Sequence, residues 1–276
     1  MNVNDLTHPE KIDYFLRTVA EARLSALLLD YDGTLAPFSV NRDQAMPYAG
    51  VRELLQRIMD SGRTRMVVIT GREARQIGPL LEMQKVIEVW GLHGLQRLRV
   101  DGSCEMPNIP AVAAQGLEEA ARWLAFHGLQ HLAEIKPGSL ALHWRVLDDD
   151  DARELRQRVL LAWFQIADRK GLRLLEFDGG VEMRIAGPDK GDAVHTVLGE
   201  LGADIPVAYL GDDTTDERAF HALEHRGLTA LVRPTPRKTS AQVWLKAPDD
   251  LLDFLSRWDK ATDQTLIQRA YIGQGT

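Results

Sequence analysis

Asp30 and Asp32 flank Tyr31 and are followed by Gly33 and Thr34, directly after the apolar run from Ala26 to Leu29. A short run that is apolar throughout suits a strand buried on both faces, and Gly33 ends it. The two carboxylates therefore arrive at the carboxyl end of a strand, where open α/β sheets bind their ligands. A hairpin turn at Asp32-Gly33 is the plain structural alternative. Other chemistry-bearing residues recur at equivalent places. Thr70-Gly71-Arg72 follows the strand Met66 to Ile69, Lys190-Gly191 opens a helix, and Asp212-Asp213 follows the strand Val207 to Leu210. Taken singly, Thr70 is an N-cap, Lys190 is one of 33 basic residues, and Asp212 and Asp213 cap the next helix. Taken together, they place carboxylates, a hydroxyl and an ammonium on one edge of a sheet.

The chemistry that needs this set is phosphoryl transfer through an aspartyl-phosphate. One carboxylate attacks phosphorus in line, and a second carboxylic acid protonates the leaving oxygen and then activates water. An ordinary Asp has a pKa of about 3.9, so an acid working near neutrality needs a neighbouring charge to raise it. A carboxylate two positions away supplies one. Bringing a carboxylate to a phosphate also requires a cation, and oxygen ligands without sulfur or imidazole select Mg²⁺. Asp30, Asp212 and a main-chain carbonyl near Asp32 can supply such a site. Thr70 and Lys190 then hold phosphoryl oxygens and neutralise developing charge.

The elements that must position these groups alternate. The spacing predicts a helix over Asp5 to Arg23, the Asp30 strand, a helix over Tyr48 to Ser61 and the strand ending at Thr70. A helix over Glu73 to Met83 and a strand from Val86 to Trp90 follow, the latter ending at Gly91-Leu92-His93-Gly94. This βαβαβ order predicts a Rossmann-like α/β fold with a parallel sheet. The middle of the chain changes character. A hairpin over Leu95 to Cys104, a helix from Ala111 to Gly128, a strand pair about Pro137-Gly138, a helix from Asp151 to Lys170 and strands at Leu172 to Phe177 and Val181 to Ile185 describe an α+β module. Residues 110–187 are assigned to it, as an insertion between core segments 1–109 and 188–276. After Gly187 the βα alternation returns: a helix from Lys190 to Leu201, the strand Val207 to Leu210, a helix over Asp216 to Glu224, the strand Thr229 to Val232 and a terminal helix over Leu251 to Trp258. Gly273 to Thr276 are expected to fray.

Composition narrows the class. The chain has 276 residues, 45% hydrophobic and 26% charged, ordinary for a globular enzyme of one or two domains. A formal charge of −7 leaves no footprint for nucleic acid or an anionic membrane surface. Cys104 is the single cysteine, which excludes an internal disulfide and a thiolate-rich metal site. Met1 to Ala20 lack the apolar segment of a signal peptide, and no run reaches the roughly twenty residues of a membrane span. A cytoplasmic location is the expectation.

The ordered motifs Asp30-Tyr-Asp32-Gly-Thr34, Thr70-Gly-Arg72, Lys190-Gly and Gly-Asp212-Asp213-x-x-Asp216 resemble those of the haloacid dehalogenase superfamily, in which a cap lies between the second and third. More narrowly, Leu29 to Pro37, Gly91-Leu-His-Gly94, Ser139-Leu-Ala-Leu-His-Trp-Arg145, Glu182-Met-Arg184 and Gly211 to Glu217 resemble trehalose-6-phosphate phosphatases. The resemblance spans about Leu24 to Phe254. It implies Asp30 as nucleophile, Asp32 as general acid/base, Thr70 and Lys190 on phosphate, and a Mg²⁺ with Asp30, Asp32, Asp212 and Asp213 at or beside it. It further implies a cap that reads the sugar, with Gly71, Arg72, His93, Lys136, Ser139, His143, Arg145, Glu182 and Arg184 as candidate substrate contacts. Strand alternation puts His143 and Arg145 on one face and Glu182 and Arg184 on another, and Trp144 and Trp163 in the core. The chain departs from the family at Leu92, Trp144 and Ile185, where Asn, Tyr and Pro are usual.

The resemblance implies Mg²⁺-dependent hydrolysis of trehalose 6-phosphate by a monomer, with a trehalose-phosphate synthase as a partner it would allow. Glucosylglycerate or glucosylglycerol phosphate would suit the same cap. A phosphomutase of the same superfamily and a non-catalytic phospho-acceptor are the readings from other classes. The complete acid/base pair and the large cap argue against the last.

Overall fold

The computed structural model describes residues 8–39 and 42–263. In chain order its elements are α1 (Pro9–Glu21), β1 (Ser25–Leu29), α2 (Val51–Asp60), β2 (Thr64–Ile69), α3 (Ala74–Leu81), β3 (Glu88–Gly91), β4 (Gln96–Leu98), β5 (Cys104–Glu105), α4 (Ala111–Phe126), β6 (Ala133–Lys136), β7 (Ser139–His143), α5 (Asp149–Lys170), β8 (Leu172–Phe177), β9 (Gly180–Ile185), α6 (Lys190–Leu201), β10 (Val207–Gly211), α7 (Glu217–Ala222), β11 (Leu228–Val232), β12 (Val243–Leu245) and α8 (Asp249–Thr262). The Asp5 to Arg23 helix starts at Pro9, since proline fits the first turn, where its missing N–H costs no bond. Asp5 to Thr7 and Gly273 to Thr276 lie outside the described residues.

Eight strands form one sheet in the order β12-β11-β10-β1-β2-β3-β4-β5, parallel through β3 and antiparallel at the β4 and β5 edge. All five residues of β1 are buried, as the apolar run requires. Their alternation feeds two cores. Leu27 and Leu29 pack with Phe15 of α1, Leu55 of α2, Ile77 of α3 and Trp258 of α8. Ala26 and Leu28 join Val194 of α6 and Phe220 of α7 on the other face. Truncating one of these leucines to alanine would cost about 2–5 kcal/mol, because the packed layer cannot collapse into the gap. The result is an α/β sheet with helices on both faces, and its strand ends carry the candidate site. The spacing missed β12, a strand of three residues with a half-buried Trp244, too short to show a period.

Contacts divide the chain into two units, Met1–Glu105 with Asp189–Asp212 and Asp216–Thr276, and Met106–Pro188 with Asp213–Thr215. The second unit holds an antiparallel sheet ordered β6-β7-β9-β8, with α4 and α5 against its apolar face. Leu140, Leu142, Val181 and Met183 form that face and are buried, as are Trp144 and Trp163. Helix α5 is defined at both ends. The Asp148 carboxylate caps the N–H groups of Asp150 and Asp151, and Gly171 ends the helix at φ +66°.

Candidate active site

Asp30 follows β1 directly, and its N–H donates to Leu210 O at 2.8 Å, which fixes its height against β10. Its carboxylate is buried. Lys190 Nζ, at the start of α6, donates to Asp30 Oδ1 at 2.8 Å and to Asp216 Oδ1 at 2.7 Å. Tyr209 OH donates to the same Asp216 oxygen at 2.5 Å, and the Asp212 N–H donates to Asp216 Oδ2 at 3.1 Å. Thr34 Oγ1 donates to Asp30 Oδ2 at 3.3 Å. Gly33 makes the crowding possible. Its φ is +84°, and a Cβ there would stand 2.2 Å from Asp212 Oδ2. The turn is therefore a close-approach device rather than a hairpin.

The charges set the electrostatics of the pocket. Burial pushes the Asp30 carboxyl up to about 7, against the pull of the Lys190 ammonium and with the push of Asp216. Burial disfavours the Lys190 ammonium, but the Asp216 and Asp30 carboxylates outweigh it and hold the lysine above its ordinary value. Burial and Asp216 together raise the Tyr209 phenol well above its usual range, so it serves as a fixed donor. Asp30, Asp212 and Asp216 are all buried, and each offers a carboxylate oxygen within 4.8 Å of the others. That is an all-oxygen donor set, the chemistry of a hard divalent cation.

Asp32 and Asp213, expected at or beside the metal, have these side-chain partners in the structure. Arg72, 1% exposed, holds Asp32 with a fork, Nε to Oδ2 at 2.7 Å and Nη2 to Oδ1 at 2.6 Å. The half-exposed Asp213 takes the Thr214 N–H at 2.6 Å and the Thr214 hydroxyl at 3.2 Å. The third carboxylate of the buried cluster is Asp216, four residues after Asp212, which the periodicity reads only as a helix start. Arg72, expected as a substrate contact, is the residue that forks Asp32 here. It also lies over the Tyr31 ring at 5.4 Å, and its N–H donates to Thr70 Oγ1 at 3.2 Å. Thr70 is fully buried, and its hydroxyl proton can still be donated.

Gly71 packs on His93. A Cβ on Gly71 would fall 2.5 Å from the imidazole. Leu92 and His93 adopt φ +52° and +55°, a conformation that asparagine tolerates better than leucine. Their N–H groups donate to Arg72 O at 2.7 Å and Thr70 O at 2.8 Å, which holds the strained pair in place.

In the second unit, strand register assembles the remaining candidates. Ser139 lies opposite both Lys136 and Arg184, Ala141 opposite Glu182, and His143 opposite Gly180. Opposed residues share a face, so His143, Glu182 and Arg184 stand on one face together with Lys136 and Ser139, not on two. Ser139 Oγ donates to Glu182 Oε1 at 2.8 Å, and Lys136 Nζ lies 3.5 Å from the same oxygen. Glu134, which the spacing did not single out, pairs with Lys136 at 3.4 Å and with His143 Nε2 at 3.1 Å. Arg184 Nη2 donates to Pro188 O at 2.7 Å. Arg145 departs from the expectation. Strand β7 ends at His143, and Arg145 is an exposed turn residue bonded to Asp178 O.

The profile of a family described as trehalose-phosphatase matches residues 28–249. The probable trehalose-phosphate phosphatase H of Arabidopsis thaliana is 28% identical over 273 residues, covering 91% of this chain and 76% of that one. A Mycobacterium tuberculosis protein described as an uncharacterized glycosyl hydrolase is 31% identical over 270 residues, and this chain spans 20% of its length. Among solved structures, the C-terminal domain of the Candida albicans trehalose-6-phosphate phosphatase superposes with a TM-score of 0.78 at 20% identity, covering 90% of this chain and 96% of that one. The likeness to this structure is one of fold.

Proposed function

The chain belongs to the trehalose-phosphatase family, and we propose that it hydrolyses trehalose 6-phosphate to trehalose and phosphate with Mg²⁺ as cofactor. The observation that carries the reading is the buried cluster of Asp30, Lys190, Asp212 and Asp216, with Asp32 two residues from Asp30 and held by Arg72. Asp30 and Asp212 would hold the cation, together with the Asp32 main-chain carbonyl. A bound Mg²⁺ supplies positive charge that keeps Asp30 ionised and offsets the charge of the phosphoryl group.

Asp30 is the nucleophile. A carboxylate oxygen forms the bond to phosphorus as the bond from phosphorus to the sugar oxygen breaks. Asp32 gives its proton to the leaving oxygen from a carboxyl oxygen released from the Arg72 fork. In the second step Asp32 takes a proton from water, and that water breaks the aspartyl-phosphate to release phosphate and regenerate Asp30. Lys190 and the Thr70 hydroxyl steady the phosphoryl oxygens. On the cap, Glu182 is set by Ser139 and Lys136 to accept hydrogen bonds from glucosyl hydroxyls, and neighbouring cationic donors pair with their oxygens.

Phosphate release measured across trehalose 6-phosphate, glucosylglycerate phosphate, glucosylglycerol phosphate and glucose 6-phosphate tests the assignment. Trehalose 6-phosphate should give the highest kcat/KM, EDTA should silence the enzyme and Mg²⁺ should restore it. Preference for a glycosyl-glycerate or glycosyl-glycerol phosphate overturns the substrate. A requirement for a bisphosphate activator points to a mutase, and full activity in chelator contradicts the mechanism.

A further inference from the structure

The segment between β11 and β12 brings two arginines to one main-chain atom. Arg233 Nη1 and Arg237 Nε donate to the carbonyl oxygen of Asp212 at 3.3 and 3.2 Å. The Asp212 N–H is held by Asp216 Oδ2 at 3.1 Å, so the chain on both sides of the Asp212 side chain has partners. Both arginines are half-buried and anchored. The Arg233 main chain is tied to β12, its N–H to Leu245 O at 3.1 Å and its carbonyl to Trp244 Nε1 at 2.8 Å. Arg237 Nη1 donates to Glu217 Oε1 and to Lys238 O. Glu217 also accepts the Thr239 hydroxyl at 2.8 Å, the Ser240 N–H at 2.8 Å and the Ser240 hydroxyl. One carboxylate, immediately after Asp216, thus fixes the whole Arg237 to Ser240 turn.

A guanidinium donates charge-assisted bonds, and two of them converge on a carbonyl adjoining three buried carboxylates. We propose that Arg233 and Arg237 are positioning residues for Asp212: they clamp its peptide so that its carboxylate keeps the orientation needed to hold a divalent cation, with Glu217 as the anchor of Arg237. The inference rests on the reading of Asp212 as a cation ligand. No motif marks these arginines in the sequence, because the clamp acts on a main-chain oxygen twenty-one and twenty-five residues away.

Calorimetric titration of the metal-free full chain with Mg²⁺ tests it, on wild type, Arg233→Ala, Arg237→Ala, Arg237→Lys, Glu217→Gln and Asp212→Asn. Groups that orient metal ligands typically govern affinity by roughly 10- to 100-fold, so each arginine-to-alanine change should weaken Mg²⁺ binding by about tenfold or more. Saturating Mg²⁺ should recover most of kcat, with KM for the sugar phosphate near wild type. Arg237→Lys should regain part of the affinity. Mg²⁺ affinity within twofold of wild type in both alanine variants, with a lowered Tm of the metal-free protein, would show a loop that only stabilises the fold and overturns the proposal. Should the alanine variants fail to fold, unchanged affinity in Arg237→Lys and Glu217→Gln overturns it equally. Unchanged binding in Asp212→Asn removes the cation-ligand reading as well, whereas unchanged binding in the arginine variants alone removes only this inference.

Discussion

The carboxylate cluster of the core is buried and the polar face of the cap sheet is buried to half-exposed, and the two sets of charges are assembled differently. In the core each group stands at the end of one strand or the start of one helix, and the parallel sheet brings those ends to a common edge. In the cap the groups lie along strands, and the pairing of β6, β7 and β9 decides which of them meet. On the proposed function, chemistry rests on short motifs whose backbone position is fixed by a strand terminus. Recognition rests on register, where a slip of one residue would turn Glu182 to the apolar face.

This contrast can be broken by mutation, first in the core. Asp30→Asn should lower kcat by roughly 10⁴ or more, since the amide keeps the shape but cannot act as the nucleophile. Far-UV circular dichroism and substrate binding should stay close to wild type, and retention of more than a few per cent of turnover would remove Asp30 from the role. Asp32→Asn should cost roughly 10² to 10⁴ in kcat, the usual worth of a positioned acid/base. A loss below tenfold would count against it.

Lys190→Met sharpens the contrast through stability. Lys190 is buried between Asp30 and Asp216, and its removal leaves their carboxylates without the ammonium. Breaking such a buried arrangement costs about 3–5 kcal/mol, which for a chain of this size lowers Tm by roughly 10 °C. Glu134→Gln on the half-exposed cap pair should cost less than about 1 kcal/mol by the same measurement. Similar losses in both would mean that the two charge sets are equally structural.

The sequence exposed these two regions unequally, for a physical reason. The core motifs were legible because each sits where an apolar run stops, as at Leu29, Ile69 and Leu210. Asp216 was quoted within a motif but given no role, because a carboxylate at the mouth of a helix looks like a cap until Lys190 and Tyr209 are seen on it. The fork of Arg72 on Asp32 was not legible because it spans forty residues of chain. In the cap, alternation along one strand gave the residues of each face but not the register between strands. It therefore separated His143 from Glu182, which the sheet unites, and carried the strand past its end to Arg145.

The division of labour is tested most directly by comparing kcat/KM for trehalose 6-phosphate and for p-nitrophenyl phosphate in Glu182→Ala beside wild type. Glu182 should matter only to a substrate that carries glucosyl hydroxyls, because its loss strands the donors that met it. The account predicts a loss of roughly 10- to 100-fold on trehalose 6-phosphate and less than about twofold on p-nitrophenyl phosphate. Equal losses on the two substrates would contradict it, and would place Glu182 in the support of the fold or the core chemistry rather than in the reading of the sugar.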